Sequence, residues 1–128
     1  MKDIYVNFYS AGGVEDYYIP VPCRGVVKAA EYFANATMVA TGTITLARDT
    51  TAVNTATAPT GNTAAGTVLK GVADTTNKDL VFDPESSTDA YTKIKMSLDT
   101  TILGGAANVL AHITYDESAH VEEAASEA

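Results

Sequence analysis

The chain has 128 residues, a length that fits one domain with its own hydrophobic core. Eight basic residues stand against sixteen acidic ones, and the net charge of −8 opposes binding to nucleic acid or to an anionic membrane surface. Trp is absent and much of the hydrophobic content is Ala, so the core is expected to be thin and an oligomer or attached subunit is favoured.

The first two predicted strands lie near the N-terminus. Residues 4–9 alternate between apolar and polar side chains, and their apolar face consists of Ile4, Val6 and Phe8. The next segment, 17–24, contains Pro20 and Pro22, so both missing N–H groups fall on the same side of the chain. Because that side cannot extend a sheet, the segment is predicted to be an edge strand.

Two later segments are harder to interpret. Residues 25–33 (GVVKAAEYF) have apolar side chains at helical spacing, but they begin with a Val pair that suits a strand, and we favour the strand. Residues 50–67 are almost entirely Thr, Ala, Asn, Gly and Pro. This composition predicts a solvated loop with at most one weak strand; the alternative is an arm that becomes ordered on a partner.

Alternation also predicts strands over 43–47, 93–98 and 109–115, and a shorter strand over 80–82. Turn-forming residues separate these short strands at frequent intervals. The predicted fold class is therefore all-β: an antiparallel, jelly-roll-like β-sandwich in a single domain. We place this domain at residues 1–115 and an acidic, Ala/Glu-rich tail at 116–128.

No arrangement of residues typical of an enzyme is found. Catalysis by hydrolysis or transfer needs a nucleophile beside a base, or two carboxylates with different environments, and neither can be identified. His112 is expected to be structural, and His120 lies in the tail. Because a cupin-type metal site needs a cluster of histidines, that enzyme class is not supported either. We predict no catalysis, no metal and no cofactor.

The only cysteine and an acidic segment are both expected to lack a special chemical function. The only cysteine, Cys23, lies in the apolar sequence IPVPC and is expected to be a small buried hydrophobe. Five acidic residues between 74 and 89 match no DxDxDG loop, so a solvated acidic loop is favoured over a calcium site.

The N-terminus does not resemble a secretory signal, and no apolar run reaches the ~20 residues of a membrane span. Assembly in a cytoplasm is expected.

Tyrosines are concentrated in the first quarter of the chain, which contains five of the seven: Tyr5, Tyr9, Tyr17, Tyr18 and Tyr32. Tyrosine is favoured at interfaces, where it provides contact area and a hydroxyl group. The alternative is a rim of tyrosines that contact the core of the sandwich. The residue type alone does not separate these two interpretations.

Three stretches resemble small decoration, or cement, proteins of tailed-phage capsids. They are the sequence YYIPVPCRGVV at 17–27, the Ala/Thr alternation at 36–46, and AGTV at 65–68. The resemblance implies a structural virion protein on the outer surface of the capsid, where it binds the major capsid protein and stabilises the shell. It further implies a homo-oligomer, a trimer in preference to a dimer, without an active site.

If the protein binds such a shell, three segments are the hypothetical interface, on the grounds of aromatic content, edge position and composition. The residues are Tyr5, Phe8 and Tyr9 near the N-terminus, Tyr17, Tyr18, Ile19, Pro20 and Val21 in the edge strand, and Thr57, Pro59 and Asn62 in the Thr-rich segment. The alternative function is a carbohydrate- or receptor-binding module of a phage fibre or tail. The absence of Trp counts against that alternative.

Overall fold

The structure is a computed structural model that describes residues 1–10, 15–58, 62–98, 102–103 and 107–117. The strands in these ranges are β1 (Lys2–Ser10), β2 (Glu15–Pro20), β3 (Val26–Ala34), β4 (Thr43–Arg48), β5 (Thr51–Thr57), β6 (Leu69–Lys70), β7 (Val72–Ala73), β8 (Lys93–Leu98) and β9 (Ala107–Asp116). A short 3-10 turn, Asp89–Tyr91, precedes β8.

The strands form two antiparallel sheets. The order is β1-β9-β3-β6 in the first sheet and β2-β8-β4-β5-β7 in the second. The chain passes from one sheet to the other at each step from β1 to β4, and the last strand, β9, lies between β1 and β3. This wrapped order is that of a jelly roll. The predicted fold class, an all-β jelly-roll-like sandwich in a single domain, is confirmed.

The core lies between the sheets and follows the predicted alternation. The inward-facing residues with at most 1% exposure include Ile44, Leu46, Ile94, Met96, Leu98, Val109, Ala111, Ile113 and Tyr115. On β1 the predicted face is also correct, but Ile4, Val6 and Phe8 are only half-buried because β1 lies at the edge of its sheet. Strand β2 lies at an edge too, as the two prolines predicted, but it spans Glu15–Pro20 and not 17–24.

Residues 26–33 lie in strand β3, which confirms the favoured interpretation, and Gly25 forms an isolated bridge just before it. β3 pairs with β9 along most of its length and with β6 near its end. A register shift between Val27 and Ala29 adds one residue to β3, so that the core positions Val27 and Ala30 are three residues apart instead of two. This bulge interrupts the two-residue period, which explains why the sequence pattern resembled a helix.

One prediction about loops and strands was too weak and one is wrong. Where at most a weak strand within a loop was expected, residues 51–57 form strand β5, which pairs with β4 on one side and with β7 on the other. Its small side chains suit this position, where Val53, Asn54 and Ala56 are buried. Residues 80–82 are not a strand, since only Phe82 forms a bridge, to Gly25. The chain then turns at Asp83, whose carboxylate and carbonyl accept the N–H groups of Glu85 and Ser86.

The end of the domain differs slightly from the prediction. β9 continues to Asp116, and the Glu117 carboxylate lies 3.3 Å from both the N-terminal ammonium and the Lys2 ammonium. The remainder of the predicted tail, 118–128, lies outside the described residues. Cys23 is half-buried rather than fully buried. Among the described residues, there is no helix with the length and apolar character needed to cross a bilayer.

Candidate functional site

The exposed aromatic residues of β1 point away from the core. Tyr5 and Tyr9 are 64% and 61% exposed and lie on the outer face of the first sheet, because alternate side chains of a strand point to opposite faces. Phe8 has the opposite orientation and packs against the core. The three hypothetical interface residues of β1 are therefore divided between two faces, and only the tyrosines are available to a partner on the outside.

Neighbouring strands extend the outer surface around the two tyrosines. Leu110 of β9 is 37% exposed and pairs with Asn7 of β1 and Phe33 of β3. A shallow groove of about 330 Å³ lies beside it, lined in part by Asn35 and Asn108. We name this surface the outer tyrosine face and define it by Tyr5, Asn7, Tyr9, Phe33, Asn108 and Leu110. It combines aromatic, aliphatic and amide groups on a rigid sheet.

Leu110 was not predicted to belong to a surface site. The available signal was its position in the strand, because an apolar residue stands at an outward position of β9 between Asn108 and His112. Single exposed apolar residues are common on proteins. Leu110 becomes part of a larger apolar surface only because Phe33 and the tyrosines of β1, which lie on other strands, are next to it.

A group of charged side chains borders the outer tyrosine face. The Nε2 atom of His112 lies 2.9 Å from Oδ1 of Asp3, and its Nδ1 atom lies 3.3 Å from Oε2 of Glu31. The imidazole ring also stacks on Tyr5, with ring centroids 4.5 Å apart and planes 6° from parallel. His112 therefore links β1, β9 and β3 across the outside of the sheet.

This geometry fits the doubly protonated form of His112. A neutral imidazole has only one N–H. Its other nitrogen would direct a lone pair at the lone pairs of a carboxylate oxygen, which is repulsive. The hydrogen bond to Asp3, together with Glu31, raises the pKa of His112 above its usual value, although partial burial opposes the shift. The two nitrogens point in different directions, which suits a bridge between strands and not a shared metal ion.

The corner between β1 and β2 is closed by aromatic contacts. The rings of Phe8 and Tyr17 lie 4.5 Å apart at an angle of 40°. The Tyr17 hydroxyl donates to Oε1 of Glu15 at 2.7 Å and approaches the carbonyl of Tyr9 at 3.0 Å. Burial and the neighbouring Glu15 carboxylate raise the pKa of Tyr17 to about 12. Phe8 and Tyr17 thus join the edges of the two sheets.

The remaining hypothetical residues of the edge strand do not form one surface. Ile19 and Val21 are buried, with 4% and 5% exposure, so their side chains hold β2 to the core and offer no area to a partner. Tyr18 is 57% exposed but lies on the outer face of the second sheet, away from Tyr5. Pro20 is exposed at the end of β2.

The third hypothetical segment is only partly described. Thr57 is exposed at the end of β5 and lines a groove of about 430 Å³ with Lys70 and Val72. Asn62 has a structural function, because its Oδ1 atom accepts the N–H of Ala40 at 2.6 Å and its φ angle is 63°. Pro59 lies outside the described residues.

Tyr18 borders a small polar cavity of about 230 Å³ on the second sheet. Its other lining residues are Asp49, Asp89, Ala90, Lys93 and Lys95. The Lys93 ammonium lies 2.7 Å from Oδ2 of Asp89 and 5.6 Å from the centre of the Tyr18 ring. An exposed ring beside paired charges can stack on a planar or cyclic ligand and also form hydrogen bonds with it.

The aspartates between 74 and 89 have separate structural contacts. Asp74 accepts the N–H groups of Thr76 and Asn77, and Asp83 lies 3.4 Å from Arg24. The Lys78 ammonium, 3.0 Å away, lowers the pKa of Asp79. Within the described part of the chain, no three His, Cys, Asp or Glu side chains converge as ligands for a metal ion.

Comparisons of the chain with protein-family models, with curated proteins and with solved structures found no significant match.

Proposed function

We propose that this protein is a structural virion subunit, a capsid decoration protein that binds the outer surface of the major capsid protein shell and stabilises it. The proposal derives from the resemblance of residues 17–27, 36–46 and 65–68 to decoration proteins of tailed phages. It needs no catalysis and no cofactor. The resemblance also implies that the protein works as a homo-oligomer.

The outer tyrosine face is the observation that best supports this function. Tyr5 and Tyr9 expose about three fifths of their surface on a rigid sheet, with Leu110 nearby. Tyrosine gives a large contact area with little loss of side-chain entropy, and a rigid sheet limits the ordering cost on binding. A protein shell is a suitable partner for such a mixed apolar and amide surface, whereas the net charge of −8 disfavours nucleic acid.

Stabilisation of a shell would follow from the number of copies. The outer tyrosine face has six residues, so a single subunit is expected to bind the shell with modest affinity. An oligomer that contacts several capsid subunits at once binds more tightly, because the later contacts form within one complex. Cross-linked capsid subunits would then resist thermal or osmotic expansion together.

The proposal is tested with capsids that lack the protein. Purified wild-type protein is added back, and the retained protein and the temperature of DNA release are measured. We expect Tyr5→Ser and Tyr9→Ser to reduce retention, each by about tenfold or more, as for a central aromatic contact. Tyr18→Ser is the matched control, since Tyr18 is nearly as exposed, at 57%, and lies on the opposite sheet. Failure of the wild-type protein to bind, or unchanged release on binding, would contradict the proposal.

A second candidate function is carbohydrate binding by a fibre or tail module, and the cavity beside Tyr18 favours it. The cavity combines an exposed ring with two carboxylates and two ammonium groups. A glycan array with the wild-type protein and Tyr18→Ser tests this function. A bound glycan that is lost in Tyr18→Ser but retained in Tyr5→Ser would favour it over capsid decoration.

A further inference from the structure

The sheet edges of this protein are protected to different degrees. An open edge presents unpaired N–H and C=O groups, and proteins protect such edges with short strands, proline or charged residues. β6 and β7 contain two residues each. β2 begins with Glu15 and Asp16 and ends at Pro20. These three strands are the other sheet edges in the described part of the chain.

β1 has none of these protective features beyond its first two residues. It is nine residues long, contains no proline, and pairs with β9 in an uninterrupted register from Lys2 to Ser10. Its charged residues, Lys2 and Asp3, are both at its start. Among the described residues, no strand pairs with its other edge. A long regular edge of this kind is a site for the addition of another strand.

The side chains of β1 support the same conclusion. Ile4, Val6 and Phe8 face the core but remain half-exposed, whereas the inward residues of β9 from Val109 to Tyr115 are fully buried. Beyond Ile4 a groove of about 620 Å³ separates β1 from Pro20, Val21 and Pro22. The contact between Phe8 and Tyr17 closes the gap between β1 and β2 at one end. The groove lies at the other end of this gap, which is open. An added strand would cover the exposed part of this apolar row.

The sequence of β1 fits a second copy of itself. In an antiparallel pair centred on Val6, Ile4 lies opposite Phe8 of the other copy, and Val6 lies opposite Val6. Lys2 then faces Ser10 and Asp3 faces Tyr9, so no like charges are opposed. A shift of the centre to Tyr5 would instead place Phe8 opposite Lys2. The Val6-centred register is therefore the one that matches apolar residues with apolar residues.

We propose that two copies of this protein associate through their β1 strands, in antiparallel register about Val6, and form one continuous eight-stranded sheet. The contact is a twofold one and produces dimers, which differ from the trimer implied by the capsid resemblance. It does not depend on the proposed function, because it is measured with the protein alone. The charge of −8 on each copy makes the dimer weaker at low ionic strength.

Sedimentation measurements over a range of concentrations test the contact. We expect the full chain to approach twice its 13.4 kDa mass at high concentration. Val6→Lys introduces a charge into the apolar row and is expected to weaken the dimer by about tenfold or more. Val72→Lys makes the same change on β7, where Val72 is 72% exposed, and is expected to leave the dimer intact. Circular dichroism verifies the fold of both variants.

A disulfide test does not depend on how Val6→Lys folds. In an antiparallel pair, opposed Cα atoms are about 4.5–5.5 Å apart, which is within the range of a disulfide. With Cys23→Ser as background, Val6→Cys is expected to form a covalent dimer under mild oxidation. Val72→Cys is more exposed and serves as the control for random collision. A monomer or trimer at every concentration, or equal cross-linking of the two cysteine variants, would overturn the proposal.

Discussion

The parallel stack of Tyr5 on His112 connects the outer tyrosine face to an ionic bridge across the sheet. The Tyr5 ring lies on the same imidazole that contacts Asp3 and Glu31. Protonation of His112 therefore affects both the pairing of three strands and the surface on which Tyr5 is presented. A cation over an aromatic ring is attracted by the electrons of that ring.

The bridge predicts a dependence of stability on pH. The pKa of His112 is raised in the folded state, so protonated His112 stabilises the fold. This stabilisation is fully present below the unfolded pKa of about 6.5 and is lost as the pH rises through the higher folded pKa. We expect the midpoint of urea unfolding to fall across this window, with a change of about 1 kcal/mol or less because the carboxylates are partly exposed.

His112→Gln is the variant that isolates this effect. Glutamine keeps a polar side chain of similar length but does not titrate, so the pH dependence in this window should largely disappear. In a His120→Asn background only one imidazole remains, and its proton chemical shifts report the pKa of His112 directly. A pKa at or below about 6.5 would contradict the bridged geometry.

Two buried tyrosines are expected to respond in opposite ways to loss of the hydroxyl group. The Tyr115 hydroxyl donates to the carbonyl of Cys23 at 2.6 Å, so Tyr115→Phe should lower the free energy of unfolding by about 1–2 kcal/mol. The Tyr32 hydroxyl is buried and has no hydrogen-bond partner in the described structure. Burial raises the pKa of both groups. Tyr32→Phe should be neutral or stabilising, and urea unfolding of the two variants measures the contrast.

Gly42 is expected to tolerate no side chain. A Cβ atom at this position would lie 2.6 Å from the amide nitrogen of Ile102 and 2.9 Å from its Cβ, so backbone must move. Gly42→Ala should lower the free energy of unfolding by about 3 kcal/mol. Gly66 is the control, because a Cβ there would meet open space and only the φ angle of 82° is unfavourable. Gly66→Ala should cost about 1 kcal/mol, as measured by thermal or urea unfolding.

Replacement of Arg48 by lysine is expected to destabilise the fold. The Arg48 guanidinium lies 3.8 Å from the centre of the Tyr91 ring, and Nη1 donates to the carbonyl of Val81 at 3.0 Å. Arg48→Lys keeps the charge but loses the planar stack, and should lower the free energy of unfolding by about 1–2 kcal/mol. In a Tyr91→Leu background the same change should cost less. Equal costs in the two backgrounds would show that the ring contributes nothing.

The sequence was sufficient to predict the strands that alternate in the usual way. Ile44, Leu46, Ile94 and Met96 fall on the inward face as expected, because one side of each strand meets the core. Strand β5 was expected to be at most a weak strand within a loop, since its Thr, Ala and Asn residues are typical of loops. They form a strand because β4 and β7 provide hydrogen-bond partners on both sides, which composition does not reveal.

The surface features were harder to predict because they join distant parts of the chain. His112 is 109 residues from Asp3 and 81 residues from Glu31 in sequence. Ile19 and Val21 were assigned to an interface for their place in an edge strand, but a sandwich edge has one face in the core. The proposed capsid contact and the oligomer remain predictions.

The central position of the last strand determines the order of events during synthesis. β9 separates β1 from β3, so neither long strand of the first sheet has its main partner until residues 107–116 have left the ribosome. Before that, the apolar rows of both strands are exposed to other nascent chains. Assembly of the first sheet must therefore wait for β9 and, with pairs separated by about a hundred residues, is expected to be slow for a domain of this size.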